Sequence, residues 1–303
     1  MRLLAILIWV VLIAAGCTLA TSTPVSVPRS QHLYVTDGAS PSTIFVYDLP
    51  VTPTSSPSVT LLTGGHGAGN PCFDNAGHMY VPMTNDGNLE VFDLPLTSSS
   101  IPAFTINAPS PNDCHFDANG NMYVSNNPAS VHPYAAPVQA GSLAGTAITD
   151  QVSGPFGLWT DPSGNVFVCD ETYLTEYGSL GSGNSLLAKF GTVQGSANRG
   201  LALGIDGNLY VPNGTAKNQI DVYTPPFSNS STRNAAKTIT VQPLTATNFL
   251  TFVAFDRGNA LYVGVTDNSL TNNHIYVFPP PYTSPTVNMD TGVTHVYGVA
   301  IGP

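Results

Sequence analysis

Residues 156–170 read FGLWTDPSGNVFVCD and residues 200–213 read GLALGIDGNLYVPN. In each, a short apolar run leads to an Asp or Gly, a Gly-containing turn follows, and a second apolar run opens around an aromatic residue. Glycine supplies the positive φ that a tight turn requires, so the pattern predicts a β-hairpin. The wording returns as CFDNAGHMY, HFDANGNMY and AFDRGNALY, with Asp74, Asp117, Asp161, Gly204 and Asp256 each six residues ahead of an aromatic. With HLYVTDG at 32–38, the aromatics are Tyr34, Tyr80, Tyr123, Phe167, Tyr210 and Tyr262, at steps of 46, 43, 44, 43 and 52 residues. A third apolar run follows as TIFVYDL (43–49), LEVFDL (89–94), QIDVYT (219–224) and HIYVFP (274–279), and less clearly as VHPYA (131–135). A period in the forties built of short strands predicts a β-propeller with one four-stranded blade per repeat.

The two ends of the repeat predict how the ring closes. The first copy starts at a second strand, HLYVTD, with no first strand before it. Residues 297–302, YGVAIG, match RGLALG at 199–204. The C-terminal strand is therefore expected to complete the N-terminal blade, which removes the open sheet edges that invite aggregation. The expected fold is all-β, a six-bladed propeller over residues 31–303.

Composition agrees with this and narrows the function. Of 303 residues only 26 are charged, 8 Lys and Arg against 18 Asp and Glu, for a formal net charge of −10. Nucleic acid is excluded as a partner, because phosphate binding needs a basic footprint. The 28 Gly and 26 Pro, with scarce Lys, Glu and Arg, disfavour long helices. The 42 % of hydrophobic residues suffices for a large core.

Residues 1–17, MRLLAILIWVVLIAAGC, place Arg2 before an apolar run from Leu3 to Ala15. That run is short for a membrane span, which needs about 20 residues, and suits a signal peptide over 1–16. Its end, Ile13-Ala14-Ala15-Gly16-Cys17, resembles the lipobox of bacterial lipoproteins, with Ala14 where Leu is usual. The resemblance implies lipidation at Cys17, a tether over 17–30, and a location in the bacterial cell envelope facing outside the cytoplasm. The alternative is plain secretion, since Ala14 and Gly16 also suit a small-x-small cleavage site. Cys72, Cys114 and Cys169 then remain. Cys72 lies two residues before its hairpin Asp and Cys114 three, on opposite sheet faces of adjacent blades, so a disulfide between them forms if those faces meet.

The blade wording resembles the NHL-type and SMP-30/gluconolactonase-like six-bladed propellers, with residues 156–170 and 200–213 carrying the likeness best. The lactonase-like relatives hold a divalent metal, usually Ca²⁺, at the channel mouth with Glu, Asn and Asp. Ligands there sit just before first strands, at the position filled here by Gly69, Asn112, Phe156, Arg199, Thr251 and Tyr297. Only Asn112 among these suits that role, which counts against a metal cofactor. After the second strands come Asp37, Met83, Asn126, Asp170, Asn213 and Val265. Asp37, Asn112, Asn126, Asp170 and Asn213 are therefore the candidate binding residues. Asn112, Asn126 and Asp170 form the alternative set for Ca²⁺, and loop capping is the competing reading of the recurrent Asp and Asn.

Within the first strands, positions two and four before the hairpin Asp are mostly small, as crowding at an axis requires. The exceptions are Asn70, Cys72, Asp113, His115 and Trp159. Asp113 and His115 stand two apart, on one strand face. They are the catalytic candidates, since a carboxylate beside an imidazole orients it as a general base. No G-x-S-x-G nucleophile accompanies them. The expected function is a membrane-tethered binding module for a protein or glycan partner at one propeller face, with an apolar patch including Phe156, Trp159 and Tyr297. The alternative is a metal-dependent hydrolase of the lactonase or esterase type.

Overall fold

The computed structural model describes residues 30–170, 173–191, 200–213, 218–230, 235–244, 248–267 and 273–303. The expected signal peptide, residues 17–29 of the expected tether and Arg199 lie outside these residues. Among those described, the strands fall into six antiparallel sheets. The first blade holds β1 (His32–Asp37), β2 (Thr43–Asp48) and β3 (Val59–Leu62); the second holds β4 (Cys72–Phe73), β5 (His78–Met83), β6 (Asn88–Asp93) and β7 (Phe104–Asn107). The third comprises β8 (Pro111–Phe116), β9 (Met122–Asn126) and β10 (Ser130–Tyr134), and the fourth β11 (Gly157–Thr160), β12 (Val166–Cys169), β13 (Tyr173–Tyr177) and β14 (Leu186–Gly191). The fifth contains β15 (Ala202–Leu203), β16 (Leu209–Asn213), β17 (Gln219–Tyr223) and β18 (Lys237–Thr240). The sixth contains β19 (Asn248–Phe255), β20 (Leu261–Asp267), β21 (His274–Phe278) and β22 (Val287–Asp290).

The last strand, β23 (Val296–Gly302), pairs with β1 and completes the first blade, from His32 opposite Gly302 to Asp37 opposite Val296. First strands touch first strands all the way round, β23 to β4, β8, β11, β15, β19 and back to β23. That ring encloses the axis. Small residues let it close: a Cβ on Gly298 would sit 2.7 Å from both Asn70 Cα and the Gly69 carbonyl oxygen.

The repeated aromatics explain the repeat. Tyr34, Tyr80, Tyr123, Phe167, Tyr210 and Tyr262 are all nearly inaccessible to solvent, and each sits in a different one of six apolar clusters. Each cluster joins a blade to the next; the one around Tyr262 joins the sixth blade to Leu33, Val35 and Val299 of the first. Burying such a side chain contributes about 2–3 kcal/mol relative to leaving it in water. The hairpin Asp serves the same design. Asp256 accepts hydrogen bonds from Ala260 N at 2.8 Å and from the Tyr262 hydroxyl at 3.2 Å. Asp74 does likewise for His78 N and the Tyr80 hydroxyl. Where Gly204 replaces the Asp, Asp206 takes over and accepts from the Tyr210 hydroxyl at 2.9 Å.

The third blade departs from the expected four strands. Its outermost position is a single bridge between Val131 and Ile148. Pro133 within β10 has no N–H to offer an outer neighbour, and the chain beyond it carries Pro137, Gly141 and Gly145.

Replacing Asp256 with Ala leaves a turn N–H and a buried tyrosine hydroxyl without their acceptor. It is expected to lower stability by about 1–3 kcal/mol in denaturant unfolding, while Tyr262→Phe costs about 1 kcal/mol. Equal stability of parent and Asp256→Ala would contradict this role.

Candidate functional site

The polar residues that recur at the rim are engaged in hydrogen bonds, some within their own loops and some to neighbouring segments. Asp37 is buried and accepts from Ala39 N, Thr294 N and His295 N at 3.1–3.2 Å, tying the approach of β23 to β1. Asn112 donates to the Pro155 carbonyl at 3.0 Å, and Asn126 to the Pro109 carbonyl at 2.5 Å. Asp170 accepts from Tyr173 N at 2.5 Å, and Asn213 donates to Asp221 at 2.8 Å. Only the Asp37–Ala39 and Asp170–Tyr173 bonds are the local caps that short polar side chains make around turns; the others tie separate segments of the rim together. Asn126 Oδ1 stays buried without a partner. Ca²⁺ wants six to eight oxygens, and among the described residues no cluster of three or more His, Cys, Asp or Glu could hold a metal.

Below the rim, the axis is spanned by a hydrogen-bonded belt. Val299 N donates to Asn70 Oδ1 at 2.9 Å, and Asn70 Nδ2 donates to Asp113 Oδ1 at 2.9 Å. Asp113 also accepts from Cys114 N and, through Oδ2, from Leu158 N, both at 2.8 Å. Four blades are thereby joined through two side chains. Burial pushes the Asp113 carboxyl up to about 7, against the pull of three donating N–H groups.

The structure does not bring Asp113 and His115 together as a catalytic pair. Each faces the fourth blade, but at different heights along β8. His115 Nδ1 lies 2.9 Å from Thr160 Oγ1, whose own proton goes to the Phe116 carbonyl. The hydroxyl can then only accept, so Nδ1 carries the hydrogen and Nε2 is bare. The ring lies against Trp159, centroids 4.1 Å apart. Burial lowers His115 to about 4, so the imidazole is neutral at pH 7.

Cys72 and Cys114 form a disulfide across the second and third blades, Cα atoms 5.5 Å apart. Positions two and four before the hairpin Asp face the next blade, and the odd position in between faces the previous one; this is the meeting of faces that the bond requires. Cys169 is free and fully buried, and burial raises its thiol well above the usual range, which makes it unreactive.

Between the belt and the hairpin turns lies a cavity of about 210 Å³. Phe73, His115, Phe116, Trp159, Phe255 and Ile301 line it, from five of the six blades counting Ile301 of β23, and all six are half-buried. Among the described residues, its wall carries no Asp, Glu, Lys or Arg. Trp159 thus belongs to this cavity, whereas Phe156 and Tyr297 stand at the opposite end of their strands. The residues just before the hairpin Asp (Phe73, Phe116, Phe255, Ile301) were not singled out by sequence. Their common offset, one residue ahead of Asp74, Asp117, Asp256 and Gly302, was the available signal.

A scan of protein-family models finds no match to this chain, and neither does a search of curated proteins. Solved structures do resemble it. A protein of unknown function from Bacteroides caccae superposes with a TM-score of 0.64 at 13 % identity, over 90 % of this chain and 98 % of its own. A protein from Lactobacillus plantarum gives 0.64 and 13 % over 90 % and 99 %. The Cps50 (Swd1) β-propeller domain of Myceliophteria thermophila gives 0.56 and 11 % over 85 % and 83 %. The likeness is one of fold alone.

The two buried titrating groups act on stability in opposite directions. His115 is depressed to about 4 from an ordinary 6.5, so its contribution is lost as pH falls through that interval. Asp113 is raised to about 7 from 3.8, so its contribution is lost as pH rises through that one. Relative to the parent, His115→Gln is therefore expected to gain about 1 kcal/mol on going from pH 7.5 to pH 5, after allowance for partial solvent screening. Melting curves at both pH values measure it; an unchanged difference would contradict the buried neutral imidazole.

Proposed function

We propose that this chain is an exported, lipid-anchored propeller of the bacterial cell envelope that binds a partner without transforming it. The supporting observation is the way polar side chains are used. Rim Asp and Asn residues hold loops, Asp113 holds the belt, and His115 has Thr160 rather than a carboxylate behind it. A general base needs an orienting acceptor and a nucleophile within reach; the cavity offers an imidazole beside aromatic rings. A mostly apolar wall with a few placed polar groups is the composition of a binding site. Partners reach the propeller from outside the cytoplasm, as a protein, a glycan or a smaller molecule at a channel mouth. The lipobox-like Ile13–Cys17 supports the anchor, with Cys17 as the acylated residue and 17–30 as the tether.

The metal-dependent lactonase or esterase reading would require rim oxygens free to converge on a cation, and the loops already engage most of them. Two measurements test the proposal. Labelled fatty acid should be incorporated by the expressed chain and lost in Cys17→Ser, with release from the membrane fraction. The melting temperature should not move with millimolar Ca²⁺ or EDTA. A rise with Ca²⁺ that EDTA reverses would favour the hydrolase, since a ligand at a hundredfold excess over Kd stabilises by about 2.7 kcal/mol.

A further inference from the structure

We infer that the cavity at the hairpin end of the channel is a site for a small neutral aromatic molecule carrying one O–H or N–H donor, a phenol or an indole, which packs among the rings and donates to His115 Nε2. The inference rests on the reading of the chain as a binding module and gives that module a ligand class.

Size comes first. Drug-sized ligands occupy pockets of about 300–1,000 Å³, while an engineered apolar cavity of about 150 Å³ holds benzene. A cavity of about 210 Å³ therefore suits a single ring with a substituent, or a small fused pair. Shape and surface follow. Phe73, Phe116, Trp159 and Phe255 give ring faces and edges from four blades, and each is half-buried rather than sealed in the core. Aromatic rings gain from offset or edge-to-face contact beyond the area they bury, which favours a flat aromatic guest over an aliphatic one.

Charge excludes the alternatives. With no ionised side chain among the described residues of the wall, a carboxylate or ammonium guest would be desolvated without a counter-charge. One atom calls for a donor on the guest. Thr160 and the Phe116 carbonyl fix the hydrogen on Nδ1, so Nε2 presents a lone pair and accepts. Of the other polar side chains of the wall, Asn70 has both its amide nitrogen and its carbonyl oxygen engaged in the belt, and Trp159 carries an indole N–H, which can only donate. A donor on the guest is thus matched at His115. This site lies across the belt from the rim that holds Asp37, Asn112, Asn126, Asp170 and Asn213.

Ligand-observed NMR on the purified chain, titrated with p-cresol, toluene, indole and 1-methylindole, tests the assignment. The expected result is binding of p-cresol and indole below 1 mM, with toluene and 1-methylindole weaker by about tenfold or more, as for one unmade hydrogen bond. His115→Phe should erase that gap. Ile301→Trp, which fills the cavity from a half-buried position, should abolish binding of all four. No binding by the folded parent at 1 mM, a gap that persists in folded His115→Phe, or parent-like binding by folded Ile301→Trp would each overturn the inference. A parallel arm follows phenyl acetate. Hydrolysis by the parent that is lost in His115→Phe would overturn the binding-module reading itself, whichever way the titrations fall; absent hydrolysis leaves that reading standing and confines any failure to the ligand class.

Discussion

The Asp113 carboxylate is the point on which the inside of the ring depends. Three N–H groups from three blades converge on it, and Asn70 extends the contact to the closing strand through Val299. An unpaired carboxylate at the axis would be costly, because burial removes its hydration and the apolar interior returns nothing. Satisfied on both oxygens, it ties neighbouring first strands together where side chains are otherwise too small to interlock. Removing one partner would strand the others, which is why such networks tend to hold or fail as units.

The belt also sets what lies below it. It takes up Asn70, Asp113 and the backbone of Leu158 along the channel wall, and the cavity on the hairpin side is lined mostly by apolar residues. The disulfide between Cys72 and Cys114 fixes the second blade to the third at the same height. His115 is then positioned from one side by Thr160 and from the other by Trp159. The outcome is a cavity walled largely by aromatic rings, with the His115 imidazole held against the Trp159 indole.

The architecture was legible because its cause repeats. One buried aromatic per inter-blade cluster recurs from Tyr34 to Tyr262, with one Asp or Gly six residues earlier and one turn glycine or asparagine between them from Tyr80 on, and closure by residues 297–302 follows from a missing first strand. The third blade was read with less certainty at VHPYA for a physical reason that the structure makes plain: Pro133 in β10 cannot donate to a full fourth strand. The candidate site was only partly legible. Spacing placed Asp113 and His115 on one strand face, and they do alternate that way. But a strand face at an inter-blade seam offers each residue a different partner from the adjoining strand, here Leu158 N for one and Thr160 for the other. Rim residues such as Asp37 and Asn213 looked available because sequence shows their type and position, and not the backbone N–H groups and side chains that occupy them. Phe73, Phe116 and Phe255 were passed over because they alternate out of phase with the small positions that marked the channel.

The most direct test of this account is the protonation of His115 itself. In the ¹⁵N-labelled protein, long-range ¹H–¹⁵N correlation spectra report which ring nitrogen carries hydrogen and whether the ring is charged. The account predicts a neutral ring with hydrogen on Nδ1 and a bare Nε2 from pH 8 down to about pH 5, consistent with burial having lowered it to about 4. A ring protonated at both nitrogens near pH 7, or one with hydrogen on Nε2, would contradict it.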